Sequence, residues 1–294
     1  MNLEQFQQRA RRYLKDLLLL PVNVRRLTER DPPARAVNPF EEPHRLIRKS
    51  LASVGAIYSN GLIHYGGTNY LIEPPRTIET FNEVVLRRDY EFAWACGPQP
   101  YIVIDIGMNV GFAAITKARD PDVIHVYGFE PLVPTYKLAL RNIELNPQLA
   151  GKISAYNFGL SDSEAQIDIR YSDNEIMSIS SEGTFDSCLW GDVRTEIIQV
   201  KPAAAIMQEI FDKHPGAPVF LKCDCEGAEF KIFKDLHQHG LFDRISVVVV
   251  EWHGQPPDEL VRILTASGFS CFSQVINVEW NVGMIRGIRP LSVG

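Results

Sequence analysis

The chain has 294 residues, 45% of them hydrophobic, and a formal net charge of −6 with a pI near 5.7. That is enough for one large core, or one domain with an appendage, and the acidic balance lacks the basic face of a dedicated nucleic-acid binder. No apolar run approaches the roughly 18 residues of a membrane span.

The Leu17–Val22 run follows a basic stretch and has no small-residue cleavage site after it, so it reads as neither secretory signal nor anchor. Residues 1 to about 30 read as an amphipathic helix, with Phe6, Tyr13, Leu14, Leu17 and Leu18 on one side, packing on its own domain. Asp31 to Pro43 is a proline-rich linker, and Pro43 to Tyr58 reads as a second helix. Gly61 to Pro74 has two apolar runs around Gly66 and Gly67, a hairpin signature. Thr77 opens a helix predicted to run to about Ala95, and Gly97, Pro98 and Pro100 break the chain before the next strand. Residues 1–99 are thus expected as a helical and hairpin extension, and residues 100–294 as the main domain.

Within the main domain, Tyr101 to Ile106 is an apolar, mostly β-branched run that stops at Gly107, Asn109 and Gly111. It predicts a strand buried on both faces, then a tight turn and a helix from Phe112. Further strands are expected at 123–129, 152–158, 219–224 and 245–252, with helices after the first, second and fourth and at 202–213. Such alternation implies a doubly wound, mostly parallel α/β sheet. Phe269–Ile276 and Val282–Ile288 read as two closing strands with no helix between them. The polar stretch from Ser161 to Val200 is the least regular, a loop or small hairpin over the sheet's carboxyl edge.

The glycine turn points to a nucleotide-type ligand: glycines accept positive φ and let backbone N–H groups approach closely. Asp105 sits just inside the strand end, where a carboxylate orients a ligand better than it packs. Glu130 ends the second strand about 20 residues on, placed to take both ribose hydroxyls. A dinucleotide fingerprint would put glycines at Asn109 and Phe112. Their absence weighs against a nicotinamide-dependent oxidoreductase and leaves a ligand without phosphates.

Three stretches, IDIGMNVG at 104–111, FEP at 129–131 followed by the helix bearing RNIELN, and LKCDCEGAE at 221–229, resemble the class I S-adenosylmethionine-dependent methyltransferases and, within them, the FkbM family. The resemblance covers roughly the last two-thirds of the chain. It implies a seven-stranded Rossmann-like sheet with an antiparallel C-terminal edge, S-adenosyl-L-methionine as cofactor, and an active site lined by the segment around Asp224. Met108 stands where the family commonly has alanine, and Cys223 and Cys225 replace aliphatic residues. These departures alter packing more than chemistry.

On that reading Gly107, Asn109 and Gly111 wrap the methionine part of the donor, Asp105 steers water or its ammonium, and Glu130 holds the ribose. Ser161 and Asp162 lie where related enzymes place the adenine, although Asp162 also suits a plain turn. Asp224, Glu226, Glu251 and His253 are the catalytic candidates. A histidine at the ligand edge can act as general base, because its pKa lies near working pH. Lys222, beside Asp224, can pair with a carboxylate. The same acids and His253 can also hold a divalent ion, but the reading assigns no metal. His237 and His239 suit a helix C-terminus instead. Five cysteines, at 96, 188, 223, 225 and 271, have no paired spacing and read as core thiols of a cytoplasmic protein.

The expected activity is O-methyl transfer to a small-molecule or glycan acceptor, with no nucleic acid and no membrane span. No aromatic Asp-Pro-Pro-Tyr-type motif follows the fourth strand, which speaks against adenine N-methylation. Self-association into a homo-oligomer is left open. The alternative is a non-catalytic binding module, against which the intact Asp105, Gly107, Glu130 and Asp224 speak.

Overall fold

A computed structural model describes residues 51–73, 77–97, 99–172 and 193–289. The helix expected over residues 1–30, the Asp31–Pro43 linker, residues 43–50 of the next expected helix, and the centre of the 161–200 insertion lie outside them. Backbone contacts divide the chain into two compact units, Met1–Asp89 and Tyr90–Gly294, so Tyr90 to Pro100 groups with the second. Among the described residues no helix is long and apolar enough to cross a membrane.

In the first unit, β1 (Ile57–Ser59), β2 (Leu62–Tyr65) and β3 (Thr68–Leu71) form an antiparallel meander. Two-residue turns join them, Asn60–Gly61 (φ 51° and 76°) and Gly66–Gly67 (φ 57° and 77°). Positive φ at both positions suits the twist of a tight hairpin. The Gly66–Gly67 hairpin was expected, but β1 was not: Ile57 and Tyr58 leave the expected helix because Gly55 turns the chain at φ 77°. A helical turn, Thr77–Thr80, runs into a π-helical stretch, Phe81–Arg87, that stops at Arg88 in a left-handed conformation. The single helix expected to Ala95 is therefore broken, and a separate 3₁₀ turn covers Ala93–Cys96.

The second unit is built on seven strands: β4 (Tyr101–Ile106), β5 (Val123–Phe129), β6 (Ile153–Tyr156), β10 (Val219–Cys223), β11 (Ile245–Trp252), β12 (Ser270–Asn277) and β13 (Val282–Ile288). Their spatial order is β12-β13-β11-β10-β4-β5-β6. All run parallel except the last strand, β13, which lies antiparallel between β11 and β12, so it is one strand in from the edge where it was expected and β12 forms that edge. Every side chain of β4 and β10 is buried. That is why these strands read as unbroken apolar runs without alternation. Helices α1 (Phe112–Ala118), α2 (Val133–Glu144), α3 (Ala203–Lys213), α4 (Glu229–Gln238) and α5 (Asp258–Ala266) connect them. The largest core cluster joins Ile102, Ile104 and Ile106 of β4 to Met207, Phe211, Phe233 and Leu264 of α3, α4 and α5. Each such side chain contributes roughly 1.5–3 kcal/mol by leaving water.

The expected third strand ends at Tyr156, and the chain then enters a second sheet of β7 (Gly159–Ser161), β8 (Ala165–Ser172) and β9 (Val193–Pro202), ordered β7-β9-β8. Ile167, Ile169, Ile198 and Val200 cluster with Leu132, so the insertion is a hairpin with its own apolar face.

Candidate active site

The carboxyl ends of β4, β5, β10 and β11 meet at one edge, the place where a parallel sheet exposes backbone groups and loops to a ligand. Gly107 leaves β4 at φ +74°, and a Cβ there would stand 1.7 Å from the Asp224 carbonyl oxygen. Only glycine lets the two strand ends touch. Gly111, at φ +83°, serves packing instead, because its missing side chain lets α2 approach, with Ala139 Cβ 3.3 Å from where a Cβ would be.

A cleft of about 1010 Å³, open solvent at its mouth included, runs along this edge. Gly107, Asn109, Glu130 and Ser161 line its first half, facing an apolar wall of Ile167, Ile169, Ile198 and Val200 from the second sheet. Asp224, Glu226 and Gly227 line the other half. Glu130 is 7% exposed. Its carboxylate accepts the Asn109 N–H at 2.9 Å and the Leu132 N–H at 3.0 Å. Burial pushes its pKa up to about 7 against those two bonds. Asp105 is 1% exposed, and its partner is the Lys222 ammonium, 3.2 Å from Oδ1. Asp162 is exposed in its turn, where it accepts hydrogen bonds from the Ser161 and Ser163 hydroxyls.

The buried Lys222 ties the two halves together. Its ammonium donates to the Gly107 carbonyl at 2.5 Å and lies 3.2 Å from Asp105 and 3.8 Å from Asp224. Burial alone would discharge it, yet the carboxylates of Asp105 and Asp224 keep it charged, with its pKa above the ordinary value.

The deciding feature for chemistry is a histidine among acids. His253, at the end of β11, has Nδ1 3.0 Å from Glu229 Oε1, while Nε2 lies 3.8 Å from Asp224, 3.7 Å from Glu226 and 3.9 Å from Glu251. Burial works against an imidazolium, but Glu226, Glu229 and Asp224 outweigh it and hold the pKa well above 6.5. Conversely, burial pushes Glu226 up to about 8 and Glu251 up to about 7. Glu229 organises the loop: its oxygens accept the Cys225 and Gly227 N–H groups, both at 2.9 Å, besides facing His253.

Tyr90 completes the cluster. Its hydroxyl sits 2.7 Å from Asp224 Oδ2 and 2.8 Å from Glu251 Oε2. One O–H donates one hydrogen, so both contacts are hydrogen bonds only if a carboxyl proton is also held there. Glu251, with its raised pKa, is the natural holder.

Residues 105–271 match the methyltransferase FkbM domain. The chain belongs to the FkbM methyltransferase family. Among solved structures, this FkbM-family chain is similar to methyltransferase FkbM from Methylobacillus flagellatus, at 16% identity, 64% of this chain and 43% of that one, TM-score 0.42. It is also similar to a human methyltransferase 10 domain containing protein (11%, 86% and 99%, TM-score 0.42) and to M. capricolum TrmK in complex with S-adenosyl-homocysteine (12%, 64% and 62%, TM-score 0.35). The chain spans less than half the length of the Methylobacillus protein. No curated protein matches.

Among the described residues, Asp224, Glu229 and His253 offer ligand atoms within 4.8 Å of one another, close enough to share a divalent ion. Glu229 already serves two backbone N–H groups and His253. Cys223 and Cys225 face each other at 3.6 Å as thiols; burial raises the Cys223 pKa, and the contact with Cys223, then burial, raises that of Cys225. His237 and His239 stay at the end of α4, next to Ser267 and the Asp235 carbonyl. Sequence reasoning missed Tyr90, which no motif marks. It also left the wall of β8 and β9 undefined, although the alternation in QIDIRY and EIIQV carries that signal.

Proposed function

We propose that this FkbM-family chain moves the methyl group of S-adenosylmethionine to a hydroxyl oxygen of a sugar, glycan or secondary metabolite. The observation that carries this reading is the single cleft that joins Glu130 and the Gly107 turn to Asp224 and Glu226.

The residues present fit the donor. Glu130 offers acceptors to a ribose diol, and its neighbours Leu160, Ile167 and Ile198 suit a flat apolar base. Gly107 and Asn109 leave room for the methionine part, and the buried Asp105 carboxylate is held by the Lys222 ammonium at 3.2 Å. Bound there, the donor supplies an electrophilic methyl group on a sulfonium, so no covalent enzyme intermediate is needed.

The chain's own residues then have to align an acceptor hydroxyl and take its proton. Glu226 is the proposed base: it lines the cleft, and a carboxyl pushed up to about 8 is a far stronger base than an ordinary glutamate. His253, held as imidazolium, balances the surrounding acids, and Asp224 orients the acceptor from beside Glu226. Glu251 and Tyr90 hold a proton behind them. The thiols of Cys223, Cys225 and Cys271 suit a reducing compartment, which supports a cytoplasmic reading.

The test is calorimetric titration of the full chain with S-adenosylhomocysteine and, in parallel, NADH. Micromolar binding of the first alone is expected, weakened at least about tenfold in Glu130→Ala, as loss of a charged hydrogen-bond acceptor predicts. Absence of binding, or equal binding by the variant, would overturn the donor site.

A further inference from the structure

The seven-stranded sheet ends on two unlike edges. At one, β6 is only four residues long and its side chains are partly covered. At the other, β12 runs for eight residues, SCFSQVIN, without a charge or a proline, and pairs only with β13 among the described residues. Natural edge strands are blunted by shortness, lysine, proline or inward charge, because their free N–H and C=O groups recruit another strand. β12 carries no lysine, proline or inward charge, and its break in register comes only near its end, between Val275 and Asn277. Its side chains are bare on both faces: Phe272 is 63% exposed, Val275 56% and Ile276 54%, and the hairpin tip adds Val278 at 81% and Trp280 at 50%.

We propose that β12 is a self-association surface, where two copies of this chain join edge to edge in antiparallel fashion. A two-fold axis makes the same patch complementary to itself. With Gln274 on the axis, Phe272 of one copy lies opposite Ile276 of the other, and Ser273 opposite Val275, so apolar groups meet on one face and no like charges meet on either. Antiparallel pairing sends the two Glu279 side chains to opposite ends. Edge pairing leaves both sheet faces open, so Phe272, Val275 and Ile276 cover only part of their exposed area against the partner strand and the ladder of backbone hydrogen bonds supplies most of the contact. The interface is smaller than the roughly 1,000 Å² that a stable, specific one clears, so the association is a weak one. Seven strands from each copy then form one continuous sheet, and the two clefts open on opposite edges of it.

Sedimentation velocity of the full chain from about 1 to 100 µM tests the proposal. A monomer–dimer equilibrium is expected, weakened at least tenfold in Ile276→Lys, with unchanged far-ultraviolet circular dichroism. Gln274→Cys, oxidised in air, should form a covalent dimer on non-reducing gels that the wild type does not form. A wild type that stays monomeric at 100 µM overturns the proposal, as does a dimer indifferent to Ile276→Lys or the absence of cross-linking through Gln274→Cys. So does binding to phosphatidylcholine vesicles without self-association, which would make the patch a lipid-facing one.

Discussion

Replacing Gly107 by alanine separates close backbone approach from simple glycine flexibility. Gly107 has φ +74° and Gly216 φ +77°, so alanine at either pays the left-handed conformation, about 1–2 kcal/mol. Around Gly216 nothing lies within 4 Å of an added Cβ, whereas at Gly107 the Asp224 carbonyl oxygen lies 1.7 Å away. Reaching the 3.0 Å that real Cβ atoms tolerate requires β4 and β10 to part by about 1.3 Å at their carboxyl ends. That movement breaks the Asp224 N–H bond to the Ile106 carbonyl and the Lys222 bond to the Gly107 carbonyl. One neutral and one charged hydrogen bond add about 2–4 kcal/mol. Urea unfolding of the two variants, followed by fluorescence, should therefore show Gly107→Ala less stable than Gly216→Ala by that margin, with S-adenosylhomocysteine binding lost only in the former. Equal destabilisation within about 0.5 kcal/mol would refute the claim that the strand ends are in obligatory contact.

Tyr90→Phe leaves Asp224 and Glu251 facing each other without the shared hydroxyl. The expected cost is about 1–3 kcal/mol of stability, read as a lower urea midpoint; a variant as stable as the wild type would contradict the shared hydroxyl. Stability should fall with rising pH. Glu130, Glu226 and Glu251 titrate near 7, 8 and 7 in the native state but near 4.5 unfolded, and His253 is raised too. Between about pH 5 and 8 the native chain thus binds more protons than the unfolded one, and each group removes on the order of 1 kcal/mol per pH unit across its own interval. A thermal midpoint that is higher at pH 8 than at pH 5.5 would contradict this. Glu226→Gln should cut methyl transfer to a hydroxylated acceptor by about 10²–10⁴ and abolish the rise in rate through pH 8, while donor affinity stays; an unchanged profile would remove Glu226 as the base.

Local patterns carried the parallel sheet because burial on both faces leaves an unambiguous run, as in YIVIDI at 101–106 and ISVVVV at 245–250. The turn at Gly107 and the acid at Glu130 were legible for a similar reason: each sits at a strand end, and strand ends are set by the residues themselves. Shorter elements were less so. β1 has three residues and no alternation to read, and the break at Arg88 depends on one left-handed residue that the sequence does not announce.

The chain by itself therefore determined the alternation of strands and helices, the family, and which loops reach the ligand edge. Only the tertiary structure decided how the acids there share their protons. Asp224, Glu226, Glu251 and His253 stand out one by one in the sequence, but the ionisation of Glu226, Glu251 and His253 depends on distances under 4 Å and on burial. Tyr90 enters that network from 134 residues away. Electrostatic coupling of this kind follows separation in space, and separation along the chain carries no record of it.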